Sequence, residues 1–294
     1  MKKVLFTFGA AILLSLQLRA QDVPVADSAW KIHGENTFLI NQSSFSNWAA
    51  GGNNAFAANL VFNYDFNYAK DKWSWDNKVI AGYGLSKQEE TGWRKNDDRV
   101  ILNSLLGYKA AEHWLYTFFM NFNTQFAKGY EYNDDNNTKK VISGAFAPAY
   151  LSFGPGFAYK KSDNFRFNLS PAAARFVFVG IDSLATKYGL DPGKSSRFEF
   201  GASFDAYYKV DIMQNVALEN ILKLYSNYTE KPQNVDVDYT LNLFMKVNKF
   251  ISVNAGVQLL YDDNTKFTPE NSSIPGGARL QVKQIVGAGF TYKF

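Results

Sequence analysis

From Phe198 to Val210 apolar and polar positions alternate without a break. Phe198, Phe200, Ala202, Phe204, Ala206, Tyr208 and Val210 fall on one side, and Arg197, Glu199, Gly201, Ser203, Asp205, Tyr207 and Lys209 on the other. An extended strand sends successive side chains to opposite faces, so one face suits hydrocarbon and the other water. The split recurs from Phe56 to Tyr68, where Phe56, Ala58, Leu60, Phe62, Tyr64, Phe66 and Tyr68 oppose Ala57, Asn59, Val61, Asn63, Asp65 and Asn67. It recurs from Trp114 to Phe126, where Trp114, Tyr116, Phe118, Met120 and Phe122 oppose Thr117, Asn121, Asn123 and Gln125. Helical spacing fits none of these segments.

Extended along the chain, the pattern predicts twelve strands, centred near Ile32, Leu60, Val79, Leu105, Phe118, Phe153, Phe167, Phe204, Leu222, Leu243, Val257 and Val286. Between Pro171 and Phe178 the parity breaks at Arg175 and Phe176, which suggests a bulge. The links alternate in length. Short ones fall at Ala69–Lys72, Ala111–Glu112, Lys160–Asn164, Asp211–Asn215 and Asn248–Lys249. Longer, polar or glycine-rich ones fall at Asn41–Asn54, Lys87–Asp97, Gly129–Lys140, Ile181–Ser196, Thr229–Asn234 and Asp263–Gly277. Short turns on one side and long loops on the other, with an even strand count, predict an all-β fold: a transmembrane antiparallel β-barrel with both termini periplasmic.

A secreted β-sandwich would alternate as well. Its strands run about 5 to 6 residues, whereas these reach the roughly 9 to 11 that a tilted strand needs to cross a bilayer. Aromatic residues also gather at the ends of the apolar faces, as in Trp73 with Trp75, Trp114 with Tyr116 and Tyr292 with Phe294, where interfacial girdles are expected.

The N-terminus alters the mature composition. Lys2 and Lys3 precede an apolar run from Val4 to Leu16, and Ala20 offers a small residue for cleavage, so residues 1–20 read as a signal peptide. Residues 21–29 then form a short periplasmic segment and residues 30–294 the barrel. Losing Lys2, Lys3 and Arg19 lowers the net charge from +4 to +1, so the basic balance belongs mostly to the leader and gives no reason to expect nucleic acid. The chain has no cysteine, which excludes disulfides and thiolate metal sites. Aromatic residues make up 17% while mean hydropathy is −0.26, a balance suited to a barrel wall and not to spanning helices.

Gly289, Tyr292 and the terminal Phe294 resemble the C-terminal signal by which outer-membrane barrels are recognised by their assembly machinery, although Ala288 stands where that signal usually has a polar residue. A wider resemblance rests on Phe45-Ser46-Asn47-Trp48-Ala49-Ala50-Gly51-Gly52, Leu169-Ser170-Pro171 and Tyr188-Gly189-Leu190-Asp191-Pro192-Gly193-Lys194. With its N-W-x-x-G-G motif after the first strand, the chain resembles a family of uncharacterised outer-membrane proteins from Bacteroidetes. That resemblance implies a barrel in the bacterial outer membrane and carries no activity.

No catalytic constellation is visible. His33 precedes Gly34 and Glu35, and His113 lies between Glu112 and Trp114 beside an expected periplasmic turn, so neither forms a His-x-Ser pair. His33 is expected in the lumen near Lys31 and Glu35. The oxygen-rich runs Asp134–Asn137 and Asp262–Asn264 lack the spacing of a dedicated calcium loop and read as turns. No metal and no cofactor is expected. The lumen-facing parity instead collects charges of both signs: Asp65, Lys78, Arg99, Arg166, Arg197, Glu199, Asp205, Lys209, Glu219 and Lys223, with Asp76, Asp238, Lys246 and Lys283 beside them. Phe119, Tyr150, Tyr207, Tyr225 and Phe244 point the same way.

At about twelve strands, such a lumen predicts a narrow or occluded interior. The expected function is non-enzymatic, either a narrow channel for small polar solutes or a non-conducting structural or accessory subunit of an outer-membrane assembly. A ring of one sign would favour the channel, paired charges and an inward loop the support. The expected partners are outer-membrane lipid and lipopolysaccharide, the assembly machinery and, for the accessory role, other outer-membrane proteins. Phe45 and Trp48 in the first long loop either rest their rings in the headgroups or, with Gly51 and Gly52 permitting close backbone approach, fold inward and cap the mouth.

Overall fold

Each alternating segment forms a strand, and the sheet closes on itself. The structure, a computed structural model, describes residues 29–43, 55–88, 91–266 and 276–293. The first strands are β1 (Trp30–Ser43), β2 (Ala55–Lys70), β3 (Trp73–Gln88), β4 (Arg94–Lys109) and β5 (Trp114–Thr124). A small hairpin follows, β6 (Gly129–Asn133) and β7 (Thr138–Ser143). Then come β8 (Ala149–Ser162), β9 (Phe165–Phe178), β10 (Ser196–Met213), β11 (Val216–Asn227), β12 (Val235–Lys246), β13 (Ile251–Tyr261) and β14 (Gln281–Lys293). Twelve of these form one closed antiparallel barrel in chain order, and β6 pairs only with β7. Every expected strand centre from Ile32 to Val286 lies within a wall strand.

Turns of two or four residues close one end of the barrel. Asp71 (φ 54°) and Asn215 (φ 65°) take the left-handed backbone that such tight hairpins require, and Asp and Asn tolerate it better than bulkier residues. The long links lie at the other end. Two of them differ from expectation: β3 and β4 run on to Gln88 and from Arg94, which shortens that link, and the link from Gly129 to Lys140 contains the β6–β7 hairpin.

The wall closes where β1 meets β14, with Phe38 opposite Phe290 and Leu39 opposite Gly289. A Cβ on Gly289 would come within 2.1 Å of the Phe38 carbonyl oxygen, so the backbones approach too closely there for any other residue. The outward parity carries the large apolar side chains, including Phe38, Leu60, Phe118, Phe198, Phe200 and Phe290, all exposed. At the short-turn end they give way to an aromatic band in which Trp30 contacts Tyr68 and Trp75, Trp73 contacts Tyr108, and Trp114 contacts Tyr159, with centroids 5.0–5.8 Å apart. So much continuous apolar surface is not sustained in water. It fits a wall that crosses a bilayer, ending in an interfacial girdle.

One irregularity sets the chemistry of the interior. Between the pairs Gly201↔Ala173 and Ser203↔Ser170, β9 spends one residue more than β10, and it does so again against β8 between Phe153↔Ala174 and Phe157↔Leu169. The extra residue lies at Pro171–Ala172, and proline, which donates no ladder hydrogen bond, is at home in a bulge. The bulge reverses the parity of β9: Phe165 and Leu169 face out below it, while Ala173, Arg175 and Val177 are buried inside above it. A second shift, with Asn96 as the extra residue between Gly84↔Asp97 and Leu85↔Lys95, lies just beyond Asp97, which keeps the inward parity of Arg99 and is buried.

Candidate functional site

The lumen is built in tiers, and the lowest, near the short turns, consists of paired charges. Lys78 meets Asp65 at 3.0 Å and Lys160 meets Asp76 at 3.1 Å. Glu219 accepts hydrogen bonds from the Tyr207 hydroxyl and from Asn242, both at 3.0 Å. The Arg166 guanidinium lies 4.3 Å from the Tyr207 ring centre, and the Lys209 ammonium 5.8 Å from that of Phe244.

At mid-height the lumen has an apolar floor. Phe119 from β5, Ala173 from β9 and Tyr225 from β11 pack together with Leu105 from β4, which joins opposite sides of the wall. Beside them Lys223 donates to the Asn103 side chain at 3.3 Å, spanning from β11 to β4, five strands round the ring. A side chain that touches the far wall leaves little free bore.

The upper tier centres on Arg175. It donates to Glu199 at 2.5 Å and also pairs with Asp236, while Arg197 meets the same Glu199 at 2.8 Å. Glu199 is only 1% exposed, so its charge depends wholly on these partners. The Arg175 guanidinium stacks 3.9 Å from the Tyr225 ring centre, which ties this tier to the floor. Across the mouth, Lys283 reaches Asp97 at 2.9 Å, and Arg99 lies 3.7 Å from the same carboxylate.

Above that network residues 179–195 fold inward. Two short helical turns, Asp182–Leu184 and Thr186–Tyr188, place Leu184, Ala185 and Leu190 against Ala147, Val177 and Val179 in a buried cluster, with Tyr150, Ile181 and Tyr188 packed against it. Burying two leucines contributes about 3–6 kcal/mol of transfer free energy, enough to hold a loop of this length against part of its ordering entropy. Backbone hydrogen bonds also fix it: Gly180 donates to Phe146 at 3.0 Å, and Lys266 donates to Lys187 at 3.2 Å. Gly189 (φ 72°) makes the tightest contact, because a Cβ there would come within 2.7 Å of Arg197 Nη1 and 3.1 Å of Asn264 Cβ. Burial, and then Asp262, raises the Tyr188 hydroxyl above its ordinary pKa, and burial lowers that of the Lys187 ammonium.

Between cap and floor lies a partly open chamber of ≈ 360 Å³. Its lining sets Asn121, Asn123, Gln258, Gln281 and charges of both signs among apolar groups such as Pro148, Leu260 and Tyr261. The structure therefore brings Arg197, Glu199, Asp205 and Lys223 to this chamber or its rim, and leaves Asp65, Lys78, Arg166, Lys209 and Glu219 in the lower lumen. Arg99 stands at the mouth with Asp97. Phe45, Trp48, Gly51 and Gly52 lie outside the described residues, as does Phe294. Tyr292 is exposed on the outer wall beside the closing seam, and Gly289 belongs to the seam itself.

Five participants escaped the sequence parity. Arg175 is displaced by the bulge, and the break at Arg175–Phe176 was its signal. Asp97 lay in an assumed loop, Asp236 precedes the alternation read in β12, and the cap residues Leu184 and Leu190 follow no period. Of the two histidines, His113 lies 3.9 Å from Glu112 in a short turn, and His33 is exposed opposite Asp65. Among the described residues no group of three or more His, Asp or Glu side chains is arranged to hold a metal ion.

Residues 40–130 match a family described as protein of unknown function (DUF3078). No curated protein sequence matches the chain. Among solved structures, it is similar to the NanC porin, with 10% identity over 88% of this chain and 98% of that one and a TM-score of 0.39. It is also similar to the translocator domain of autotransporter NalP from Neisseria meningitidis, with 9% identity over 97% and 96% of the two chains and a TM-score of 0.37. An outer membrane channel from Pseudomonas putida F1 matches with 8% identity over 93% and 98% and a TM-score of 0.39.

Proposed function

We propose that this chain is a non-enzymatic barrel of a bacterial outer membrane and a narrow channel for small polar solutes, held closed in the described conformation by its own residues 179–195. The observation that carries this reading is the ≈ 360 Å³ chamber under that loop, lined by amides and by charges of both signs. A barrel built only for support would be expected to fill this space with apolar side chains, as it does at the floor. Lipid and lipopolysaccharide surround the wall in this reading, and the resemblance to uncharacterised Bacteroidetes barrels is consistent with it. The test is uptake of small polar solutes by liposomes that contain the purified barrel. A variant with residues 183–192 replaced by a short Gly-Ser link should admit them faster than the wild type, and equal, negligible uptake by both would overturn the channel.

A second reading has its own support. The ion pairs of the lower and upper tiers, together with the Phe119–Tyr225 floor, would suit a non-conducting accessory subunit of an outer-membrane assembly. Stable co-purification with another outer-membrane protein, without uptake in either form, would favour it.

A further inference from the structure

Three strands of the chamber wall place six hydrogen-bonding side chains in two rows. Register sets Ser203, Tyr225 and Asp236 side by side on β10, β11 and β12, and below them Asp205, Lys223 and Asp238. Neighbours in a row lie ~4.8 Å apart and the rows ~7 Å apart, since one face of a strand repeats every second residue. We propose that this inner wall is a binding site for small organic cations, primary amines or guanidines, which occupy the chamber between the cap and the floor. The proposal rests on the chamber being part of a solute route, and it names the class of solute.

The lower row holds two carboxylates around one ammonium, and that ammonium is directed elsewhere, to Asn103 at 3.3 Å. Asp205 accepts a hydrogen bond from Ser203 at 3.2 Å, and Asp238 accepts one from Gln258 at 2.8 Å. Among the described residues neither carboxylate has a basic partner within 4.0 Å, in contrast to Asp236 with Arg175, Asp65 with Lys78 and Asp76 with Lys160. Each keeps one oxygen without a hydrogen bond, and a carboxylate can accept about four. Around the whole chamber four carboxylates, Asp205, Asp236, Asp238 and Asp262, face three cations, Arg175, Lys187 and Lys223, so one negative charge is in excess. Because Arg175 already neutralises Asp236, the excess belongs to the lower row.

An independent feature also points to a missing partner. Tyr225, in the upper row, is 7% exposed and lines the chamber, and among the described residues its hydroxyl has no hydrogen-bond partner. A buried hydroxyl is normally paired. An amine or guanidine seated on Asp205 and Asp238 brings donors to this level of the wall, and the same confined negative field rejects anions.

The experiment is equilibrium binding to the purified mature barrel in detergent, by calorimetry, with putrescine and agmatine as probes and glucose and succinate as controls. Both cations should bind, with affinity that falls as salt is raised, and the two controls should not. Asp205→Asn with Asp238→Asn should weaken binding about tenfold or more, as expected when a buried charge loses its partner. Tyr225→Phe should weaken it by a smaller factor. Retention of heat-modifiable gel mobility shows that the variants fold, and where the double variant fails that check, Asp205→Asn alone serves in its place. Comparable binding of glucose or succinate, absence of binding by both cations, or indifference to the Asp variants would each overturn the proposal. Conductance and binding are separately readable: a barrel that conducts without binding amines refutes this site alone, and one that binds amines without conducting refutes the channel alone.

Discussion

Replacing Arg175 with Met should destabilise the barrel by about 3 kcal/mol, the lower end of the cost of breaking a buried ion pair from one side. The size follows from what each partner keeps. Glu199, 1% exposed, still has Arg197 at 2.8 Å and Asn264 at 3.4 Å. Asp236 loses Arg175, its one basic partner among the described residues, and retains one backbone donor, Asp263 N, at 3.2 Å. The Met side chain replaces part of the packing over Tyr225 but not the cation–π attraction, which contributes about 0.5–2 kcal/mol. Adding Asp236→Asn to Arg175→Met removes the stranded charge and should recover roughly half the loss, because deleting both members of a buried pair is far milder than deleting one. Urea unfolding in lipid vesicles, followed by fluorescence of the six tryptophans, measures both values. A loss below about 1 kcal/mol for Arg175→Met, or a double variant no more stable than the single one, would refute the claim that Arg175 is the cation Asp236 depends on.

Gly189→Ala should loosen the cap, since a left-handed backbone costs a non-glycine residue about 1–2 kcal/mol and the new methyl meets Arg197; faster trypsin cleavage at Lys187 or Lys194 reports it. Deleting Ala172 together with Ala173 removes the bulge and one residue more, which turns Arg175 toward lipid, where a basic side chain costs about 2–4 kcal/mol near the midplane, so the yield of heat-modifiable barrel should fall sharply. Phe119→Ala should cost about 3–5 kcal/mol, as a 2% exposed aromatic leaves a cavity, and should raise solute uptake of the cap-shortened form by opening the floor. Deleting Phe294, or replacing it with a charged residue, should reduce insertion in the native host while leaving refolding of the purified chain in detergent little changed; unchanged insertion would place the assembly signal elsewhere.

The wall was legible because a membrane barrel imposes one rule on every strand. Hydrocarbon selects alternate positions, and so Phe198 to Val210 displays both faces of β10 directly. The same rule exposed the β9 bulge, because Arg175 and Phe176 cannot be placed on their correct sides without an inserted residue. Nothing comparable governs the loops. The β6–β7 hairpin pairs with no wall strand, and Arg94 of β4 holds it through Asp134 and the Tyr132 ring, contacts that alternation along the chain does not reveal. The cap was harder still: Leu184 and Leu190 are held by Ala147, Val177 and Val179, contacts that no local period encodes. Their signal was composition, several aliphatic residues in a loop that the topology puts beyond the membrane. Phe45 and Trp48 offered the same signal with larger rings, and the sequence reading gave them the capping role as one of two alternatives, on a segment outside the described residues.

The claim that residues 179–195 close the lumen is tested most directly by single-channel recording from planar bilayers. Three proteins suffice: the wild type, the form with residues 183–192 replaced by a short Gly-Ser link, and that form carrying Phe119→Ala as well. The account predicts a wild type that is closed except for brief, small openings, longer openings once the cap is shortened, and the largest conductance when the floor is also removed. A wild type with the same steady conductance as the cap-shortened barrel would contradict it.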